Sequence, residues 1–173
     1  MKITYITGKY ILFFLVYSVV GALIETLVRL VTEHQLYGIH GFLHLPLFPI
    51  YGLGALLIIT LLGTHVRHPV PLFFAGAFLA TVLEFVGHWI IEVVFGDRIW
   101  DYKSLPFNLD GRISLYSSIG FGMAAVLLVH FIHPRVEKLV NRLPKRATIV
   151  LAAVVSVLLL TDFIYTVVER LGS

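Results

Sequence analysis

The chain has 173 residues, 58% of them hydrophobic and only 13% charged, against about 25% charged in soluble domains. With a mean hydropathy of +0.93, it has too little polar surface for an ordinary soluble fold. Cysteine is absent, which excludes disulfides, thiolate metal sites and a cysteine nucleophile. The net charge of +3 and a pI near 9.3 suit anionic lipid headgroups and are too dispersed for nucleic acid.

A helix needs about 20 mostly apolar residues to cross a bilayer core of about 30 Å. Five such spans are predicted, at 10–31, 47–63, 70–95, 112–132 and 147–168. The first is preceded by Lys2 and Lys9 in the manner of a signal peptide. It runs too long, carries Glu25 and has no small-residue cleavage site, so it reads as a retained helix. The second is short and starts on Pro46 and Pro49, which a first helical turn tolerates. The fourth is expected to end at His133-Pro134. The expected fold class is therefore all-α, a polytopic membrane helical bundle forming a single transmembrane domain over 1–173.

Orientation follows from lysine and arginine in short loops. With the N-terminus inside, Lys2, Lys9, Arg67, Arg135, Lys138, Arg142, Lys145 and Arg146 are cytoplasmic, and Arg29, Arg98, Lys103, Arg112 and Arg170 are outside. The bias favours N-in and C-out. It also places Glu25, Glu84, His88, Glu92, Asp162 and the loops 37–51 and 100–115 in the outer half.

Ionised groups in the bilayer core cost at least about 2.5 kcal/mol and normally face protein or water. Glu25 and Arg29 stand at i, i+4 with the acid first, the better order for a helical ion pair. Glu84, His88 and Glu92 share one face at successive i+4 steps, a stripe that suits proton relay, acid–base chemistry or a cation. A metal would need further ligands from Glu25, Asp162 or His40, and the spacing matches no zinc signature, so no metal site is assigned. Glu92 lies near enough to the interface to be simply solvated. Asp162 either faces the cluster or caps the outer end of its helix.

The segment 37–54, rich in glycine and proline and holding His40, His44 and Tyr51, reads as irregular backbone of a re-entrant or interfacial turn. In the loop after the third span, Trp100 and Tyr102 suit an interfacial aromatic belt. Asp110-Gly111 marks a turn, with one of the two capping the fourth span. Arg112 at that helix start has the wrong sign for the helix dipole, so it is expected to answer a carboxylate, Glu84 or Glu25. Gly76-x-x-x-Ala80 and Gly120-x-Gly122 permit close helix packing.

Six motifs occur in order: Gly21-Ala22-Leu23-Ile24-Glu25; Gly41-Phe42-Leu43 with Pro46 to Tyr51-Gly52; Ala80-Thr81-Val82-Leu83-Glu84-Phe85; Trp100-Asp101-Tyr102; Phe107-Asn108-Leu109-x-Gly111-Arg112-Ile113-x-Leu115; and His133-Pro134. Together they resemble the putative ABC-transporter permease family of small bacterial polytopic membrane proteins, also carried as a domain of unknown function and type IV-like. The resemblance covers roughly 15–134. The chain departs from it at His44-Leu45-Pro46, where the family usually has Gly-Pro, and at Ala22-Leu23, where it often has tryptophan. The resemblance implies transport and a place in the bacterial cytoplasmic membrane. The chain has no G-x-x-x-x-G-K-[ST] phosphate loop of its own, so an ATPase or other membrane subunit is an implied partner, beside the lipid bilayer and a homo-oligomer.

Three functions compete. The first is a permease-like component with an outer-facing polar pocket for a small polar or charged solute or headgroup, bound by Glu25, Arg29, Tyr51, Trp100, Asp101, Tyr102, Asn108 and Arg112. The second is an outer-leaflet enzyme acting on a lipid or lipid-linked substrate, with Glu84 or His88 as base and Arg112 as anion clamp. The third is a structural subunit whose polar cluster fixes helix packing. Of these residues, Glu25, Glu84, Trp100, Asp101, Asn108 and Arg112 are expected to converge. No cofactor can be named from the sequence.

Overall fold

The computed structural model describes residues 2–33, 42–96 and 98–172. His40 and Tyr37 lie outside the described residues. The protein is all-α apart from one two-stranded hairpin. In order come α1 (Lys2–Glu33), α2 (Pro49–Leu57) continuing as a π-helical stretch (Ile58–Leu62), α3 (Pro69–Phe95), β1 (Asn108–Leu109), β2 (Ile113–Ser114), α4 (Leu115–Leu127), a second π-helical stretch (Leu128–Ile132), α5 (His133–Asn141) and α6 (Lys145–Gly172).

Four of the described helices are long and apolar enough to cross a membrane: Thr4–Val28, Pro69–Phe95, Leu115–Asn141 and Lys145–Gly172. The chain is thus a multi-pass membrane protein. The second expected span, 47–63, is the helix Pro49–Leu62, about 21 Å long at 1.5 Å per residue and shorter than a bilayer core. The fourth span differs from expectation at both ends. Its helix starts at Leu115, because Ser114 caps it in a reciprocal box with Ser117, leaving Arg112 in the hairpin turn. Nor does His133-Pro134 end it, since the helix runs on to Asn141. An interior proline removes one backbone bond and its ring clashes with the carbonyl four residues back. The wider π register just before it, with the His133 N–H bonded to the Leu128 carbonyl, accommodates that ring.

The chain divides into two compact units, Met1–Leu53 with Val136–Ser173, and Gly54–Arg135. In the first, α1 packs on α6, and Leu12, Phe13, Tyr17 and Ala152 are buried. The start of α2 lies against α1: a Cβ on Gly21 would overlap the Tyr51 ring, so the absent side chain sets that approach. The Phe48 N–H donates to the Ser18 carbonyl at 3.1 Å. In the second unit, α3 packs along α4. Gly76 meets Ala125, and Gly122 meets Phe73, so closely that neither leaves room for a Cβ, as expected of these two small residues, whereas Gly120 has open space around it. The two π-helical stretches also touch each other there.

Candidate functional site

The stripe on α3 organises the second unit. Gly96 ends α3 in the left-handed conformation at φ 72°, where glycine has no steric penalty. The chain then folds back as a cap over the helix end. Asp110 and Gly111, at φ 53° and 70°, turn β1 into β2, which pair antiparallel with Asn108 opposite Ser114. Side chains of this cap serve mainly to hold it. Asp101 Oδ1 accepts the Lys103 N–H at 2.9 Å. Asn108 donates to the Leu105 carbonyl at 2.6 Å and accepts the Gly111 N–H at 3.1 Å. Trp100 Nε1 donates to the Arg112 carbonyl at 3.0 Å.

Three further contacts tie the cap and the start of α4 to the stripe. Tyr102 donates its hydroxyl to Glu84 Oε1 at 2.9 Å. Ser117 Oγ lies 3.3 Å from Glu84 Oε2. His88 Nε2 lies 3.0 Å from the Trp100 carbonyl, with the two rings edge to face at 5.1 Å. A relay from Thr81 to Ser118 at 2.8 Å, and from Ser118 to the Ser114 carbonyl at 2.9 Å, locks α3 to the start of α4. Glu84 and His88 are 5% and 1% exposed. A carboxylate so deep in an apolar helix is tolerated because hydroxyls supply the hydrogen bonds that water would otherwise give.

Glu92 is the hub of the upper end, not the solvated residue expected. Its Oε1 takes Arg98 Nη2 at 2.7 Å and Nε at 2.8 Å. Its Oε2 takes Arg112 Nη2 at 2.7 Å and Nε at 3.2 Å. Arg112 also binds the Asp110 carboxylate. Its partners are therefore Glu92 and Asp110 rather than Glu84 or Glu25. Hydrogen bonding to Glu92 holds its guanidinium above the ordinary arginine value, so it stays cationic at any physiological pH. The hairpin, by putting Arg112 back over the last turn of α3, is what selects Glu92.

The first unit holds the remaining predicted residues. Glu25 Oε2 accepts the Tyr51 hydroxyl at 2.6 Å, and the side chain of Arg29 is not among those described. Asp162 is not a cap on its helix, one of the two roles expected for it: it accepts the backbone N–H groups of Leu45 at 2.9 Å and His44 at 3.3 Å. The His44 ring lies 3.0 Å from Thr166 Oγ1 and 3.0 Å from Glu169 Oε2. These contacts pin the segment after residue 41 to α6. Among the described residues, no three histidine, aspartate or glutamate side chains come together as metal ligands.

Sequence reasoning missed Arg98, Glu169, Thr166 and Ser117 as members of these clusters. The i+4 continuation of the α3 stripe was a usable signal for Glu92, and the Ser114-x-x-Ser117 spacing for the cap. Nothing local points to Glu169. A sequence profile described as "Putative ABC-transporter type IV" matches residues 12–167. The chain belongs to that family. The match runs past Pro134 into α6, further than the motifs alone carried it. No curated protein and no solved structure matches the chain.

Proposed function

We propose that this ABC-transporter type IV chain is the permease-like component of a transport system in the bacterial cytoplasmic membrane, with its N-terminus inside and an outward-facing polar site at the end of α3 for a small polar or charged solute or headgroup. The observation that carries the reading is the ladder Glu84–His88–Glu92 on a membrane-spanning helix, closed over by the 98–114 cap and topped by two arginines. Such ionisable ladders inside spans mark solute and proton pathways. In this reading an ATPase partner hydrolyses the ATP, in keeping with the lack of a phosphate loop in these 173 residues. Acid–base catalysis on a lipid is the weaker reading, because a general base must come within hydrogen-bond reach of its substrate, and Glu84 and His88 are enclosed.

Uptake of a panel of labelled solutes, in cells expressing wild type, Glu84→Gln or Arg112→Gln at matched membrane levels, tests the proposal. At least one solute should accumulate above the empty-vector level, and each variant should lower its uptake about tenfold or more, as expected for losing a charged contact. Full uptake by correctly inserted Glu84→Gln, or lipid turnover in place of uptake, would overturn it.

A further inference from the structure

We infer that the two arginines on Glu92 form an oxyanion-binding site occupied at rest by the protein's own carboxylate, and that an incoming carboxylate or phosphate displaces Glu92 while one proton is taken up at His88. The inference rests on reading this end of α3 as the solute site.

The donor set comes first. Each oxygen of Glu92 has an arginine of its own, Arg98 on Oε1 and Arg112 on Oε2. Paired planar forks converging on one carboxylate are the recognition geometry for carboxylate and phosphate groups. A single guanidinium would neutralise Glu92. The second is balanced by Asp110, whose side chain is 52% exposed. The four side chains Arg98, Arg112, Glu92 and Asp110 sum to zero. The cluster lies at the end of the helix, with Glu92 24% and Arg98 28% exposed, so a solute can reach it.

The second observation is independent of the arginines. His88 is fully enclosed, and its Nδ1 has no hydrogen-bond partner. Its Nε2 faces the Trp100 carbonyl at 3.0 Å. A carbonyl only accepts, so Nε2 carries the hydrogen and the neutral ring presents a bare lone pair at Nδ1. Glu92 Oε2 lies 3.7 Å from that nitrogen, two acceptors with no proton between them. Buried polar atoms are seldom left unpaired, and each orphan asks for an explanation. The charged and titratable groups around the ring, among the described residues of this unit, are Glu84 one turn below, Tyr102 on Glu84, Glu92 one turn above, and Arg98, Arg112 and Asp110 beyond Glu92. None of them donates to Nδ1.

Charge balance joins the two observations. An anion entering the arginine forks frees Glu92 and adds one negative charge to a neutral set. A proton from solvent placed on Nδ1 makes an imidazolium, whose new N–H donates to the released Glu92 carboxylate. The site is neutral again and the orphan is satisfied. Glu92 Oε2 has to approach His88 by only about 1 Å to enter hydrogen-bond range. The added anion and the freed Glu92 carboxylate both attract a proton to Nδ1, so anion and proton enter together.

Calorimetric titration of the full chain in detergent near pH 7, with sodium acetate and separately with inorganic phosphate, in two buffers of different ionisation enthalpy, reads both binding and proton uptake. Wild type should bind acetate saturably and take up about one proton per anion. His88→Gln should bind about tenfold more weakly with no proton uptake, and Glu92→Gln about tenfold more tightly, again with none. Repeating the acetate titration in nanodiscs separates the sources. If phosphatidylglycerol blocks binding where phosphatidylcholine does not, the oxyanion is a headgroup; binding in both makes it a soluble solute. Anion binding by Glu92→Gln but not by wild type would show Glu92 to be a permanent structural partner and overturn the inference. So would binding without proton uptake, or binding unchanged in Arg112→Gln. Uptake of a non-anionic solute in the cell assay would remove this inference and leave the transport reading standing. Proton-linked anion binding without uptake in cells would do the reverse.

Discussion

Tyr102→Phe removes one oxygen and leaves the ring in place, so it isolates the bond that ties the cap to the buried stripe. In the wild type the phenol donates to Glu84 Oε1 at 2.9 Å, and the accepting carboxyl group is only 5% exposed. An intramolecular hydrogen bond contributes about 0.5–1.5 kcal/mol net, or about 2- to 13-fold in the equilibrium between docked and undocked cap. The backbone bond from the Tyr102 N–H to the Gly111 carbonyl at 2.8 Å is untouched, so the cap should keep its internal fold and loosen as a piece. Hydrogen exchange of the amides between residues 98 and 115, read by mass spectrometry in nanodiscs, should speed up by that factor, while exchange in the middle of α3 stays unchanged. A double-mutant cycle with Glu84→Gln should return a coupling of about 0.5–1.5 kcal/mol. Exchange in Tyr102→Phe equal to wild type would refute the claim that this bond holds the cap down.

Gly76→Val puts a branched side chain where even a Cβ overlaps Ala125; overpacking of this kind costs about 1–3 kcal/mol, which an SDS-unfolding titration should show, with partial recovery in Gly76→Val/Ala125→Gly. No shift in the unfolding midpoint would mean that α3 and α4 are not held in contact there. Single cysteines at Ser104, ahead of the helix Leu115–Asn141, and at Lys138, in its last turn, should label from opposite sides of the membrane, Ser104 from outside. Labelling of Lys138 from outside, or of both from one side, would overturn the N-in orientation.

The hydrophobic runs locate α3 and α6 to within about four residues of their ends, because about 20 consecutive apolar residues leave the backbone no alternative to a helix in lipid; α1 instead begins well before its run, at Lys2. They are silent on caps and register. Ser114 and Ser117 reset the start of α4 by reciprocal hydrogen bonds, a signal weaker than the Asp110-Gly111 turn that precedes it. The π stretch carries the helix through Pro134 where the residue pattern alone says stop. In the candidate site, the i+4 ladder on α3 is legible because one helix face carries it. The pairing of Arg112 with Glu92 is not, since it spans 20 residues and depends on the hairpin folding back. The same holds for Asp162, whose partners are the amides of a segment more than 100 residues earlier.

The π stretch at Leu128–Ile132 and the proline two residues after it form a matched pair. Losing one residue from the stretch would restore the tighter α register and drive the Pro134 ring against the backbone carbonyl one turn earlier. It would also rotate all of the helix beyond the deletion by about 100°, turning its buried Val140 toward a different side. Replacing the proline alone would leave a widened turn that nothing requires. Insertions, deletions and substitutions here are therefore coupled, and descendants of this chain can change the length of the span or its proline only in step.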